Sequence, residues 1–209
     1  MRNLVYFVAT TIDGYITTAS DVDPDFLLYD GPQAANLLQE FPETIPGHLR
    51  SLLGVPDETP NQRFDTVLMG RATYDIGRAI GVTSPYPHLR QIVVSSSLGP
   101  SPDPAVEVIS SDVVSQVHEI KRSNGKDIWL CGGGNLAASI INEIDEFIFK
   151  ISPVVLGGGV SVFGELVGPR KLTMTSHRVY ENGFSLLRYR QVAGSSTNAL
   201  HPKTSHSAR

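Results

Sequence analysis

The sequence predicts an α/β fold in which a mostly parallel central sheet is flanked by helices and ends in an antiparallel C-terminal hairpin. Runs rich in Val, Ile and Phe alternate with helix-length mixed stretches along most of the 209 residues. This alternation is typical of a parallel sheet that is covered on both faces. Two further apolar runs flank the turn-like tripeptide Glu181-Asn182-Gly183, and this arrangement predicts the hairpin.

The same patterns predict the individual elements in chain order. Strands are expected near residues 3–9, 65–69, 90–95, 106–109, 127–131, 146–152, 171–179 and 184–192. Helices are expected near residues 32–40, 71–79, 111–122 and 134–142. Pro32 suits a first helical turn, where a missing N–H costs nothing. Ser110, Ser111 and Asp112 offer capping side chains for the helix that follows them.

Residues 1–193 are predicted to form one domain, and residues 194–209 a disordered tail because they are polar and rich in Gly, Ser and Thr. The stretch 41–62 is interrupted by several prolines and predicts a long excursion between elements. Excursions of this length are often functional, and we expect this one to cover the substrate side of the molecule.

Composition excludes several classes of function. A net charge of −4 leaves no basic field for a nucleic-acid backbone. No apolar run approaches the roughly 20 residues that span a bilayer. The single cysteine, Cys131, excludes a disulfide framework and a cysteine-rich zinc site, and the histidines lack metal-ligand spacing. We therefore expect a cytoplasmic protein with no metal, no nucleic-acid partner and no membrane partner.

The segment from Asp127 to Ala137 carries the most information about function. It places three glycines, Gly132, Gly133 and Gly134, between a strand and a helix. Such a turn lets a ligand approach the backbone, and N–H groups at a helix start attract phosphate. A plain tight turn is the alternative. The segment also fits G-x-G-x-x-[G/A], but no acid follows about 20 residues later, which disfavours a Rossmann site.

Two other segments repeat this geometry. Phe64–Tyr74 runs from a strand through Gly70 into a helix that begins with an arginine, and Gln91–Ser97 ends a strand in three hydroxyl residues. Taken singly, these features are typical of a solvated arginine and of turn chemistry. Together they put donor groups at the carboxyl ends of three strands, where open parallel sheets bind ligands. A long phosphorylated ligand such as a dinucleotide fits them.

The ordered segments resemble the dihydrofolate reductase superfamily, especially the branch related to the C-terminal reductase domain of the bacterial bifunctional riboflavin biosynthesis protein. The resemblance covers roughly residues 3–192 and rests on four anchors, namely Ala9–Ile16, Met69–Tyr74, Val94–Ser96 and Cys131–Gly134. It implies a dihydrofolate reductase-like fold, an NADPH cofactor and a homodimer.

The resemblance also implies roles for individual residues. Ala9 and Ile16 would present backbone groups to the nicotinamide carboxamide. Gly70, Arg71, Ala72 and Thr73 would bind the phosphate region, with Arg71 and Ser96 near the adenosine 2′-phosphate. Ser95 is also expected to bind the cofactor. The pyrophosphate would lie against Gly132, Gly133, Gly134 and Asn135. Gly157, Gly158 and Gly159 would border the substrate pocket, although a flexible turn is an equal reading of these three glycines.

The chain departs from true dihydrofolate reductases on its first helix, which has no acid before Glu40. Asp25 and Asp30 precede this helix at a different spacing, and Asp30 is kept as a pocket candidate. Asp13 is a weak candidate for a proton donor, although Asp13-Gly14 is above all a turn signal. No catalytic residue is identified from the sequence.

The function expected from the sequence is NADPH-dependent hydride transfer to a C=N or C=O bond of a small molecule. The closest parallel is reduction of 5-amino-6-(5-phosphoribosylamino)uracil, as in riboflavin biosynthesis. Three alternatives stay open: an NADPH-binding sensor without efficient turnover, a nucleotide-binding protein without redox function, and dihydrofolate reductase proper.

Overall fold

The protein is described here by a computed structural model that covers residues 1–18, 31–166 and 168–192. The predicted tail 194–209 and the candidates Asp25 and Asp30 lie outside the described residues. No helix among those described is long and apolar enough to cross a lipid bilayer.

The strands and helices fall close to their predicted positions. The strands are β1 (Leu4–Thr11), β2 (Tyr15–Thr17), β3 (Phe64–Gly70), β4 (Arg90–Val94), β5 (Val106–Ile109), β6 (Asp127–Gly132), β7 (Glu146–Ser152), β8 (Val160–Ser161), β9 (Leu172–Val179) and β10 (Ser185–Gln191). The helices are α1 (Gln33–Glu40), α2 (Gly47–Arg50), α3 (Arg71–Ala79), α4 (Val113–Arg122) and α5 (Gly134–Ser139). Short 3-10 turns cover Pro42–Thr44 and Ile141–Glu143.

Eight strands form the central sheet in the order β5-β4-β3-β6-β1-β7-β10-β9. The six strands from β5 to β7 are parallel, and β10 pairs antiparallel with both β7 and β9. The predicted fold class is therefore confirmed. The chain builds outward from β1 through β3, β4 and β5, and then returns to insert β6 between β3 and β1. The carboxyl ends of β3, β6 and β1 thus lie side by side at a reversal of strand order, where α/β sheets bind ligands.

Side chains alternate along each strand, and both faces of the parallel part of the sheet are covered, whereas β9 at the antiparallel edge is largely exposed. On one face, Leu4, Tyr6 and Val8 of β1 pack with residues of α4 and α5. On the other face, Val5 and Phe7 pack with residues of α1, α3 and the excursion that follows α1. The buried interior of the sheet therefore explains the continuous apolar runs that predicted it.

Three local features differ from the sequence predictions. The helix expected over 134–142 ends at Ser139 and is followed by a separate 3-10 turn. Asp112 precedes α4 in a left-handed conformation, and its side chain makes no capping bond. The two-stranded sheet of β2 and β8 was not predicted, because two- and three-residue strands carry too little periodicity to be recognised.

The excursion 41–62 is tied to the amino end of β3. The buried carboxylate of Glu43 accepts hydrogen bonds from the backbone N–H groups of Gln62, Arg63 and Phe64, with the last two at 2.7 Å. These residues lead into the amino end of β3. Glu43 therefore fixes this part of the excursion at the end of the sheet opposite to the carboxyl edge, and the expectation that the excursion covers the substrate side stays a prediction.

This cluster predicts a strong dependence of stability on Glu43. Replacing Glu43 by Ala leaves three backbone N–H donors without their acceptor, and that of Phe64 is buried, so we expect the free energy of unfolding in urea to fall by about 3 kcal/mol or more. Glu58→Ala on the exposed part of the same excursion is the matched control and should stay within about 0.5 kcal/mol of the parent. Equal losses in the two variants would contradict the assigned role.

Candidate functional site

The central sheet opens between β1 and β6 at its carboxyl edge. These strands pair only through Leu4, Val5 and Tyr6, whereas β1 continues beside β7 to Thr11. Strand β6 continues beside β3 to Gly132. The indole N–H of Trp129 donates to the carbonyl of Phe7 at 2.9 Å, in the position where a further ladder bond would otherwise form. Beyond Phe7 the two strands therefore leave a gap in the sheet.

The backbone of Ala9 points into this gap. Backbone groups of successive residues in a parallel strand face alternate neighbours. The Asn3 carbonyl accepts from Ile128 on the β6 side, and the Leu4 carbonyl accepts from Asp145 on the β7 side. Ala9 is in phase with Asn3 and Phe7, so its N–H and C=O face β6 where the ladder has ended. This is a donor–acceptor pair suited to a carboxamide.

The glycine turns after β3 and β6 lie against each other next to the gap. A Cβ on Gly70 would lie 3.2 Å from the backbone nitrogen of Gly133. The hydroxyl of Thr73 on α3 lies 3.4 Å from the Cβ position of Gly132 and 3.7 Å from that of Gly133. Gly132 has φ +146°, a conformation that side chains other than hydrogen disfavour. These turns form a cradle of backbone and hydroxyl groups without side-chain bulk.

Arg71 begins α3 at the side of this cradle. Its Nε donates to Asp75 at 2.5 Å, and Arg78 donates to the other oxygen of the same carboxylate at 2.6 Å. Burial acts to raise the pKa of Asp75, but the bonds from Arg78 and Arg71 outweigh it, and the pKa lies below its usual value. Asp75 therefore fixes the Arg71 stem while the remaining guanidinium donors can bind an anion. Ala72 is exposed in the same turn.

Ser95 and Ser96 follow β4 at the next position along the edge, since Gly70 is in register with Val94. The buried Ser95 hydroxyl accepts hydrogen bonds from the N–H groups of Ser97 and Leu98 at 3.3 and 3.0 Å. It therefore stabilises the turn, while Ser96 is exposed. Of this pair, Ser96 is the one with its surface available to a ligand.

Gly134 and Asn135 pack against the protein itself. A Cβ on Gly134 would collide with the Ser161 carbonyl, and the Asn135 amide oxygen occupies the space beside Gly164. Asn135 also lines an open groove of about 490 Å³ between α5 and the residues Glu165, Leu166 and Arg170. The glycine at position 134 is therefore explained by chain packing, and the Asn135 side chain contacts Gly164.

Asp13 ties two loops together. Its carboxylate accepts from the Thr11 hydroxyl at 2.6 Å, from the Leu156 N–H at 3.1 Å and from the Gly157 N–H at 2.7 Å. The bond from Thr11 is the main cause that holds the pKa of Asp13 below its usual value. The lowered pKa favours the ionised form at neutral pH and disfavours Asp13 as a proton donor, a role that stays a prediction. Its loop role agrees with the turn interpretation.

The three glycines that follow do not form one unit. Gly157 and Gly158 are exposed, with nothing within 4 Å of their Cβ positions. Gly159 has φ +139°, and a Cβ there would collide with the Thr17 carbonyl. It brings β8 against β2, the strand that holds the half-buried Ile16. Gly157 and Gly158 therefore form an open turn, and Gly159 lets β8 pack against β2.

Sequence reasoning missed one cluster beside the gap. Lys150 of β7 is in register with Ala9, and its Nζ lies 4.4 Å from the centre of the Phe7 ring. The Lys150 charge and a hydrogen bond with Tyr86 both act to lower the pKa of the Cys131 thiol of β6. Burial has the larger effect and raises the pKa of Cys131 to about 11. A lysine within the apolar run of β7 was the available signal.

The carboxylate at the end of α1 is bound by two arginines of the antiparallel strands. The carboxylate of Glu40 accepts from Arg178 of β9 at 2.5 Å and from Arg188 of β10 at 2.8 Å. It joins α1 to the antiparallel strands and does not supply the missing helix carboxylate. Among the described residues, no group of three His, Cys, Asp or Glu side chains is placed to hold a metal ion.

Comparison with known proteins assigns the family. Residues 2–186 match the RibD C-terminal domain family, and the chain belongs to that family. The Bacillus subtilis (strain 168) protein YwjB is 27% identical over 187 residues, which cover 88% of this chain and 96% of YwjB.

Two solved structures share the fold. One is a Shewanella sp. PV-4 protein whose name provisionally assigns it to riboflavin biosynthesis. It is 23% identical in sequence, and the superposition has a TM-score of 0.64 and covers 92% of this chain and 99% of the Shewanella chain. The other is dihydrofolate reductase from Enterococcus faecalis, complexed with NADP(H) and RAB-propyl. It is 16% identical in sequence, and the superposition has a TM-score of 0.57 and covers 90% of this chain and 96% of the reductase chain. The dihydrofolate reductase-like fold is thereby confirmed.

The contacts of Asp13 predict a response to acid. Folding lowers the pKa of this carboxyl, so its hydrogen bonds stabilise the folded protein fully above the unfolded pKa of about 3.9. This stabilisation is lost as the pH falls through the lower pKa of the folded state. The NMR signals of the Leu156 and Gly157 amide protons should therefore stay constant from pH 7 to about pH 4 and shift together below it. In Asp13→Asn these signals should show no such titration. A midpoint above the usual value in the parent would contradict the assignment.

The adjacent residues Gly158 and Gly159 predict different responses of the melting temperature to substitution by Ala. Gly159→Ala should lower the melting temperature by several degrees, since the methyl group meets the Thr17 carbonyl at a positive φ. Gly158→Ala has open space and should melt within about one degree of the parent. Circular dichroism melting curves measure both, and a reversed order would refute the packing of β8 on β2.

Proposed function

We propose that this chain is an NADPH-dependent reductase of a small molecule. The observation that carries the proposal is the opening of the sheet between β1 and β6, with the Ala9 backbone directed into it and the Gly70–Gly133 cradle beside it. When bound, NADPH would supply the hydride for reduction of a C=N or C=O bond. Membership of the RibD C-terminal domain family supports this class of reaction.

The residues at the edge fit the parts of a phosphorylated dinucleotide. Ala9 would hold the nicotinamide carboxamide through its N–H and C=O, near the Ile16 segment. Thr73 and the backbone of Gly132 and Gly133 would bind the pyrophosphate, since exposed N–H and hydroxyl donors favour phosphate oxygens. Gly134 and Asn135 would contribute backbone groups, because their other contacts are with residues 161–164.

Arg71 and Ser96 would recognise the 2′-phosphate that distinguishes NADPH from NADH. They follow neighbouring strands in register, and Arg71 is anchored by Asp75. Bidentate arginine pairing is well suited to a phosphate dianion. The cofactor bound in the Enterococcus faecalis dihydrofolate reductase, NADP(H), is consistent with the same preference in this fold.

The substrate would lie on the α1 and α3 face of the gap, beside Lys150 and Tyr86. Reduction of 5-amino-6-(5-phosphoribosylamino)uracil is the candidate reaction, because a Thermotoga maritima protein of the same fold carries this reductase activity in its name. Dihydrofolate is disfavoured because Glu40 is bound by Arg178 and Arg188. An NADPH sensor is the second candidate, favoured by the lack of a carboxylate on α1 before Glu40. NADPH oxidation across a panel of carbonyl and imine compounds separates them, since tight binding without turnover would favour the sensor.

Cofactor preference gives the direct test of the site. In Arg71→Ala we expect NADPH affinity to fall at least about tenfold, the equivalent of one charge-assisted hydrogen bond, while NADH affinity stays unchanged. Arg78→Ala is the matched control, because Arg78 shares Asp75 but lies in the last turn of α3. Titration calorimetry with NADPH, NADH and ATP measures the three affinities. Unchanged discrimination in Arg71→Ala, or preference for ATP, would overturn the proposal.

A further inference from the structure

The Trp129 indole binds β1 at the point where the hydrogen bonding of that strand becomes one-sided. From Val8 to Thr11, β1 continues beside β7, whereas its register with β6 ends at Tyr6. The indole N–H donates to the Phe7 carbonyl at 2.9 Å, which adds a bond on the gap side just beyond the ladder. A strand bonded along one edge can twist about that edge, and a bond on its other edge opposes the twist.

Three aromatic rings hold the indole in this orientation. The centre of the Tyr86 ring lies 5.0 Å from that of Trp129 in an edge-to-face arrangement. The ring of Phe7 meets the indole edge-on and that of Phe64 stacks on it, both at 6.3 Å. Trp129 is buried, and a ring packed on several sides has few rotamers open to it. Core packing therefore aims the N–H at the Phe7 carbonyl.

Two carbonyls of β1 face the gap beyond the ladder, those of Phe7 and Ala9, because backbone groups of alternate residues point to the same side. They are two residues apart, or about 7 Å along the strand. A ligand amide entering the gap would meet two acceptors of the same kind if both were open. The indole N–H occupies the Phe7 carbonyl, which leaves the Ala9 carbonyl as the next acceptor in phase.

We propose that Trp129 is the positioning residue for the nicotinamide end of the cofactor. Its bond to Phe7 fixes the orientation of the β1 end that carries Ala9, and it also removes the competing carbonyl. A carboxamide is then held at one place along the gap. Trp129 acts in this role through β1 and not by contact with the cofactor. The inference rests on the proposed function for the identity of the ligand at Ala9.

Exchange of a single atom tests the proposal. Trp129 is the only tryptophan of the chain, so expression in a tryptophan auxotroph supplied with β-(3-benzothienyl)alanine changes this position alone. The analogue has sulfur in place of the indole N–H and keeps the shape of the fused rings. NADPH affinity, measured by titration calorimetry, should fall about fivefold or more because the strand end is no longer pre-ordered. Affinity for adenosine 2′,5′-bisphosphate, which lacks the nicotinamide, should stay as in the parent.

Two variants separate the hydrogen bond from packing. Trp129→Phe removes the same donor and should show the same split between the two ligands. Phe64→Leu is the matched control, because it loosens the packing on the indole but leaves the N–H in place, and it should bind both ligands as the parent does. Melting curves establish that each protein is folded. Unchanged NADPH affinity in the analogue protein, equal losses for both ligands, or the same split in Phe64→Leu would each overturn the proposal.

NMR of the parent protein distinguishes failure of this inference from failure of the proposed function. With one tryptophan in the chain, the spectrum of the ¹⁵N-labelled protein contains one indole N–H cross-peak. We expect NADPH to shift this cross-peak and adenosine 2′,5′-bisphosphate to leave it in place. Equal shifts with both ligands, or no shift while NADPH binds, would reject Trp129 and leave the reductase proposal standing. A parent protein that binds no NADPH would reject the proposed function, and this inference with it.

Discussion

Strands β1 and β6 share ladder hydrogen bonds only as far as Tyr6 and Leu130, and the place where they part determines where a ligand can reach the sheet. A backbone group at the end of a ladder needs another partner. The Trp129 indole supplies that partner for Phe7, and it fills the first position beyond the ladder with an aromatic ring. The next position in phase, Ala9, faces the opening. The proposed cofactor site depends on this divergence of the two strands.

The glycines at the edge serve two physical purposes. Gly70, Gly132 and Gly133 keep side chains out of the cradle, so that backbone groups of two strands and the Thr73 hydroxyl come together. Gly134 and Gly159 instead allow the chain to pack on itself, against the Ser161 and Thr17 carbonyls respectively. The second group is what attaches residues 153–166 to β1, α5 and β2. A glycine motif therefore does not mark a ligand site until its neighbours are known.

Some charged side chains of the molecule hold its strands and helices together, and others lie at the candidate site. Glu43 organises the amino end of β3, and Glu40 links α1 to β9 and β10. Asp13 holds a loop at the carboxyl edge through the N–H groups of Leu156 and Gly157. Positive groups at that edge include Arg71 and Lys150, on different sides of the gap. In the proposed function, an acidic protein of net charge −4 would bind an anionic cofactor through a locally placed arginine, Arg71.

The sequence alone determined the fold class, nearly all strands and helices of the central sheet, and the glycine, arginine and serine segments at three strand ends. It could do so because hydrophobic periodicity and turn chemistry are local properties of the chain. Only the tertiary structure decided that Glu43 ties 41–62 to the amino end of β3, that the Ser95 and Asp13 side chains bind N–H groups of turns, and that Lys150 lies over the Phe7 ring. These facts depend on contacts between residues far apart in sequence, and no local pattern records which distant group each side chain meets.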